Sequence, residues 1–221
     1  MQDEVVVVVA GGTGLPTEIV QALPAHARVL AADGGLSNAR ELGLEAEAVI
    51  GDLDSVPPKD LTEAAAGGAR IERYPAEKNA TDLELALDAA HSIAPRRVLV
   101  LVGGGGRLDH LFSALLLLAS ERYAGTEIDA FVGGARVHVI RRERALSGAP
   151  GELVSLFAAH GRAEGVRTEG LLYPLAGEPL EPGSSRGVSN VFVGDGARVR
   201  LERGVLLAVR PAPDPEAEVP R

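Results

Sequence analysis

A chain of 221 residues with 46% hydrophobic content can bury one large core or two small ones. It has no cysteine, which excludes disulfides, thiolate metal sites and a cysteine nucleophile, and fits a reducing cytosol. A net charge of −9 argues against nucleic acid held by phosphate neutralisation, so an anionic substrate needs a metal or a few local cations.

Val5 to Val9 is an unbroken β-branched run, the composition of a strand covered on both faces, and too short for a leader or a membrane span. The turn Gly11-Gly12-Thr13-Gly14 follows, then a short predicted helix over Thr17 to Leu23, halted by Pro24. Arg28 to Ala32 reads as a second strand, Asp33-Gly34-Gly35 as its terminal loop, and Leu36 to Leu42 as a helix stopped by Gly43. The strand Ala48 to Ile50 runs into Gly51-Asp52-Leu53-Asp54-Ser55, followed by a helix over Pro57 to Ala66 and a short strand over Arg70 to Arg73.

Thr81 and Glu84 have capping-box spacing, and Leu83, Ala86, Leu87 and Ala90 form a stripe at i, i+3, i+4, i+7. A helix therefore starts here with Asp82 in its first turn. Val98 to Val102 is another apolar strand, Gly103 to Gly106 a turn, and Leu108, Leu111, Phe112, Leu115 and Ala119 the expected buried face of the next helix. Its longest apolar run, Ala114 to Ala119, cannot span a bilayer. Alternation of strands and helices to about residue 133 predicts an α/β domain with a mainly parallel sheet.

Beyond Gly134 the helical periodicity stops. Arg136 to Ile140, Glu152 to Ala158, Val188 to Val193, Ala197 to Leu201 and Val205 to Val209 read as short strands between Gly, Pro and Ser, the pattern of an antiparallel sandwich or barrel-like domain. The expected organisation is an α/β domain over 1–134, an all-β domain over 135–210, and a Pro- and Glu-rich disordered tail over 211–221.

The chemistry is expected at the C-terminal edge of the parallel sheet, where open α/β folds bind ligands. Asp52 and Asp54 are two residues apart, so in an extended loop both point to one side. Carboxylates with substrate phosphates are the usual holders of Mg²⁺, although Asp and Ser also serve as ordinary turn residues. Asp82 and Asp109 each open a helix on the same edge, where an acid also gains roughly 0.3–1 kcal/mol from the helix dipole. Gly103 to Gly106 offers backbone N–H groups to an anion without the Lys-Ser/Thr ending of a P-loop, and Arg107 adds a guanidinium suited to phosphate. His110 is open to an acid/base, phosphate-binding or loop-capping role. Gly11-Gly12-Thr13-Gly14 with Asp33 downstream imitates a dinucleotide fingerprint, but Thr17 stands where the third glycine belongs.

Four motifs in order resemble those of the thiamine pyrophosphokinase family: Ala32-Asp33-Gly34-Gly35, Gly51-Asp52-Leu53-Asp54-Ser55, Lys78-Asn79-Ala80-Thr81-Asp82-Leu83-Glu84 and Gly105-Gly106-Arg107-Leu108-Asp109-His110. Thr168-Glu169-Gly170-Leu171-Leu172-Tyr173-Pro174-Leu175 and Ser189-Asn190 extend the resemblance into the second half. It implies a cytoplasmic homodimer with inter-subunit sites that transfers pyrophosphate from ATP, the co-substrate, to thiamine, leaving AMP. It implies Asp52, Asp54 and Asp82 as catalytic acids holding Mg²⁺. Asp33, Gly34, Gly35, Ser55, Lys78, Thr81, Gly105, Gly106, Arg107, Asp109 and His110 fall on the nucleotide side, and Thr168, Ser189 and Asn190 on the thiamine side. Asn79 stands where the family often has Asp, and Leu53 where Phe is common. With no Trp, ring stacking on the substrate is left to Tyr173 or Phe192. A pyrophosphokinase acting on a pterin alcohol would share the acid-rich first half, and a non-catalytic nucleotide-binding module would need no convergent acids.

Overall fold

The β-branched run near the N-terminus forms β1 (Val5–Val9), and Val6 to Val9 are fully buried. A computed structural model describes residues 4–212. Parallel strands flank β1 on both sides: β2 (Arg28–Ala32), β3 (Ala48–Gly51) and β4 (Arg70–Arg73) on one, β5 (Arg97–Val102) and β6 (Glu127–Val132) on the other. The order is β4-β3-β2-β1-β5-β6. The chain thus reverses direction across the sheet between β1 and β5, the switch point at which such sheets leave a crevice.

The connections carry α1 (Gly35–Glu41), α2 (Pro58–Ala66), α3 (Asp82–Ser92) and α4 (Leu108–Leu118). Val7, Val9, Val29, Leu99 and Leu101 pack with Ala39 of α1 and with Leu42 capping its end, which is why the strands read as unbroken apolar runs. A Cβ on Gly35 would fall 2.0 Å from the Val9 carbonyl oxygen, so α1 can start this close to β1 only with glycine at its first position. These elements make one compact unit that runs to Leu117 and includes Gly125–Gly134.

A second unit comprises Leu118–Ala124 and the described residues from Ala135 onward. Its strands are β7 (Ala135–Ile140), β8 (Glu143–Ser147), β9 (Leu153–Glu169), β10 (Ala176–Leu180), β11 (Asn190–Val191), β12 (Gly196–Arg200) and β13 (Arg203–Arg210). Every pairing among them is antiparallel. The long β9 pairs with β13 through Ser155 to Ala159 and with β12 through Arg167 to Glu169, the way a strand turns a corner between two layers. The bend falls at His160 and Gly161, whose φ values are 56° and 135°. Phe192 fills the core and presses on Gly148, where a Cβ would meet its ring at 2.7 Å.

Some expectations are corrected. Thr17–Ala22 is a 3-10 helix of six residues and not a regular α-helix, a short piece of the kind that serves as a connector. Leu108 and Phe112 of α4 are 78% and 62% exposed, so the apolar stripe is wider than the face the first unit covers. Of Val188 to Val193 only Asn190–Val191 pairs as strand. Ala158 does not end its strand, and β8 and β10 carry no signal in the expected pattern. The predicted tail lies, from residue 213, outside the described residues.

Gly35→Ala is expected to cost at least the roughly 1–3 kcal/mol typical of overpacking, since the clash is with backbone. Urea unfolding measures it; a midpoint equal to wild type would contradict the close approach of α1 to β1.

Candidate active site

Three carboxylates, two from loops and one from the start of a helix, meet at the C-terminal edge of the parallel sheet. Asp33 follows β2, Asp52 follows β3, and Asp82 opens α3. One oxygen from each lies within 4.8 Å of the others. Asp33 has a φ of 44°, uncommon for a side-chain-bearing residue, and its Oδ1 is buried with no hydrogen-bond partner. Asp82 is fixed by its helix start: Thr81 Oγ1 accepts from the Glu84 amide at 3.2 Å, as the capping-box spacing predicts. Gly51 makes the convergence possible, because a Cβ there would sit 2.7 Å from Asp82 Oδ1 and 3.1 Å from Asp33 Cβ.

Lys78 bridges two of the acids, with Nζ 2.7 Å from Asp52 Oδ2 and 3.0 Å from Asp82 Oδ1. The hydrogen bond from Lys78 holds the Asp52 carboxyl below the usual carboxylate range. Burial alone would lower the Lys78 ammonium, but its bonds to Asp52 and Asp82 outweigh burial and raise it above its ordinary value.

Asp54 does not join this group. The expectation that Asp52 and Asp54 face one way assumed extended backbone, but Leu53 between them has a φ of 65° and is buried. The left-handed turn breaks the alternation, leaving Asp54 exposed and accepting from Ser55 Oγ at 3.0 Å. Asp33, expected on the nucleotide side, stands in the third place.

Beside the acids opens a cleft of about 550 Å³ at the switch point of the sheet, bordered by Asp33, Lys78, Asp82, Gly104, Arg107 and His110. The glycine turn that imitates a dinucleotide fingerprint is one of its walls. Thr13 and Gly105 exchange two backbone hydrogen bonds, at 3.3 and 3.0 Å, and a Cβ on Gly103 would strike Gly12 at 2.1 Å. Gly11 to Gly14 and Gly103 to Gly106 are therefore zipped into one rim, and side chains there would hold the two loops apart. Asn38 was missed by sequence reasoning. Its Nδ2 donates to the carbonyls of Ala10 and Gly12 at 2.8 and 3.0 Å and pins the rim to α1; a polar residue in the short helix after Gly35 was the available signal. Arg73 was also missed, and donates to the Asp52 carbonyl at 3.0 Å. Gly34, Ser55, Thr81, Gly105 and Gly106 all line the cleft, while Gly35 is buried at the start of α1. Arg107 and Asp109 are paired through two hydrogen bonds at 3.2 and 2.6 Å, and the Arg107 guanidinium holds Asp109 below the usual carboxylate range.

Within the second unit, the residues expected near thiamine do structural work. Asn190 is buried, its Oδ1 accepts from the amides of Tyr173 and Val191, and its Nδ2 donates to the Tyr173 carbonyl at 2.7 Å. Thr168 Oγ1 accepts from the Leu175 amide at 2.9 Å. Both clamp the segment that presents Leu172 and Tyr173, which are 51% and 63% exposed. Ser189 is exposed with a φ of 56°, and Phe192 is buried, which leaves Tyr173 as the accessible ring of the two expected. Asn190→Ala orphans three backbone groups and is expected to lower stability by about 1–3 kcal/mol per uncompensated buried group, read by thermal melting. A wild-type melting temperature would show that the clamp carries no load.

Residues 20–130 match the family model "Thiamin pyrophosphokinase, catalytic domain", and residues 137–206 match "Thiamin pyrophosphokinase, vitamin B1 binding domain". The thiamine pyrophosphokinase of Bacillus subtilis is 24% identical over 215 residues, covering 92% of this chain and 96% of that protein. The crystal structure of a thiamine pyrophosphokinase from Bacillus subtilis superposes with a TM-score of 0.83 at 21% identity, covering 96% of this chain and 100% of the other. One from Geobacillus thermodenitrificans gives 0.80 at 25% identity, covering 96% and 99%. Matched across both units, with the acidic edge and the glycine-walled cleft in the first, the chain belongs to the thiamine pyrophosphokinase family.

Proposed function

We propose that this chain transfers the pyrophosphoryl group of ATP to the hydroxyl of thiamine, releasing AMP, with Mg²⁺ held by Asp33, Asp52 and Asp82. The observation that carries the reading is the convergence of those carboxylates beside a cleft walled by glycine backbone. The donors fit the ion: all are hard oxygens, and the buried, unpartnered Oδ1 of Asp33 is a strong acceptor with nothing to accept from. Mg²⁺, when bound, neutralises charge on phosphoryl oxygens.

The chain's own groups do the rest. The Gly103 and Gly105 N–H groups donate to the Gly11 and Thr13 carbonyls and hold the rim, and the amides of Gly104 and Gly106, which border the cleft, are the ones offered to phosphate without side chains in the way. Lys78 and Arg107, both on the cleft, supply the local cations that a chain of net charge −9 otherwise lacks. The rim holds phosphates and acids in fixed relation, so much of the rate comes from positioning and electrostatics and needs no strong base. Asp54, exposed on the same loop, is suited to a cation that arrives with the polyphosphate. Thiamine is favoured over a pterin alcohol by the match of residues 137–206 to a vitamin B1 binding domain.

A homodimer with sites shared between subunits and a cytoplasmic setting belong to the same proposal. The first is supported by exposed Leu172, Tyr173 and Val193, which a second copy or a substrate would cover, and the second by a cysteine-free composition. No helix among the described residues is long and apolar enough to cross a membrane.

A phosphorus NMR time course with ATP, Mg²⁺ and thiamine is expected to show AMP and thiamine diphosphate growing together. ADP with thiamine monophosphate, or turnover of a pterin alcohol alone, would contradict it. The same assay sorts the acids. Asp52→Asn and Asp82→Asn lose at least the roughly 10–100-fold that even outer partners of a metal site cost, and with it nucleotide-free Mn²⁺ binding. Asp54→Asn loses turnover but keeps nucleotide-free Mn²⁺ binding; if it abolishes both, the left-handed turn at Leu53 does not separate Asp54 from the cluster.

A further inference from the structure

The Lys78 ammonium occupies a particular place: it touches Asp52 and Asp82 together, and its side chain is only 13% exposed. These are two of the three acids whose oxygens meet, so the cation that a metal would replace is already part of the chain. Three further observations bear on what the lysine does there. Two of its three N–H donors are committed to carboxylates. An ammonium on a four-carbon stem is a point charge that can be withdrawn, unlike an arginine locked in a bidentate pair. And Lys78 lies in the stretch between Tyr74 and the cap residue Thr81, outside any helix or strand, so its movement breaks no sheet or helix hydrogen bond.

We propose that Lys78 is an internal counter-cation that competes with the divalent ion for Asp52 and Asp82, so that tight metal binding is coupled to arrival of an anionic polyphosphate that draws the lysine away. This rests on the metal reading of the acidic cluster given above. Before nucleotide enters, the lysine screens the repulsion between two carboxylates and keeps them facing each other. A polyphosphate in the cleft offers Lys78 new acceptors, because Lys78 borders that cleft along with the glycine rim. Releasing the carboxylates then raises their appetite for the ion. The device makes metal and nucleotide bind as a pair, and disfavours a metal-loaded, nucleotide-free site. A purely structural lysine would behave in the opposite way: its removal would splay the acids and weaken metal binding.

The test is a Mn²⁺ titration without nucleotide, read from the electron paramagnetic resonance signal of the free ion at fixed ionic strength. Wild type, Lys78→Met, Lys78→Gln, Lys78→Arg and the double variant Lys78→Met/Asp52→Asn are compared. Lys78→Met and Lys78→Gln are expected to bind one Mn²⁺ about tenfold or more tightly than wild type, a change of the size metal-site partners produce. Lys78→Arg stays at least as weak as wild type, and the double variant loses the gain. Thermal melting gives a second readout: Mn²⁺ raises the melting temperature of Lys78→Met more than that of wild type, as binding to the native state requires. Equal or weaker Mn²⁺ affinity in a Lys78→Met protein that melts cooperatively overturns the competition. If wild type meanwhile shows Asp52-dependent Mn²⁺ binding, the metal reading stands and this inference alone fails. If neither wild type nor Lys78→Met binds Mn²⁺, both fail.

Discussion

Carboxylates that share a few ångströms repel one another, and the site depends on how this chain holds Asp33, Asp52 and Asp82 together regardless. Each acid is fixed by its own device. A left-handed turn after β2 sets Asp33, the end of β3 sets Asp52, and the capped N-terminus of α3 sets Asp82 in a position where the helix dipole favours negative charge. Gly51 leaves the space in which they meet. Lys78 relieves the repulsion from inside the chain. Because Asp33 and Asp52 follow neighbouring parallel strands and Asp82 opens a capped helix, their spacing is set by regular elements and not by a single flexible segment.

The same economy shapes the anion side. Two glycine turns, after β1 and β5, meet across the switch point and bond to each other through Thr13 and Gly105. Glycine is required there by contact: a Cβ on Gly103 would enter the Gly12 backbone. The result is a wall of backbone, with Asn38 tying it to α1, against which a charged group can approach closely.

Much of the first unit was legible in the residues. Strands buried on both faces appear as unbroken apolar runs, and the Thr81 and Glu84 spacing placed Asp82 in a first helical turn. What the residues did not reveal were backbone signs and long-range pairings. Nothing in Gly-Asp-Leu-Asp-Ser announces a positive φ at Leu53, the feature that turns Asp54 away from Asp52, and nothing in Ala-Asp-Gly-Gly announces that Asp33 lies beside Asp52 and Asp82. Gly11 to Gly14 looked like a lone weak fingerprint because its partner, Gly103 to Gly106, is some ninety positions away in the chain. In the second unit β9 runs through Gly161 and Gly165, residues that ordinarily punctuate a strand, and β10 holds both Gly177 and Pro179. Asn190 and Thr168 were legible as motif residues, but their hydrogen bonds show them shaping the Leu172 and Tyr173 segment.

The central claim is that Asp33, Asp52 and Asp82 are one metal-binding unit. The most direct measurement is anomalous scattering from crystals grown with Mn²⁺ and a non-hydrolysable ATP analogue. The account predicts a manganese peak within coordination distance of all three carboxylates, with the polyphosphate along the glycine rim. A peak that leaves Asp33 out, or a bound analogue with no ion among these three acids, would contradict it.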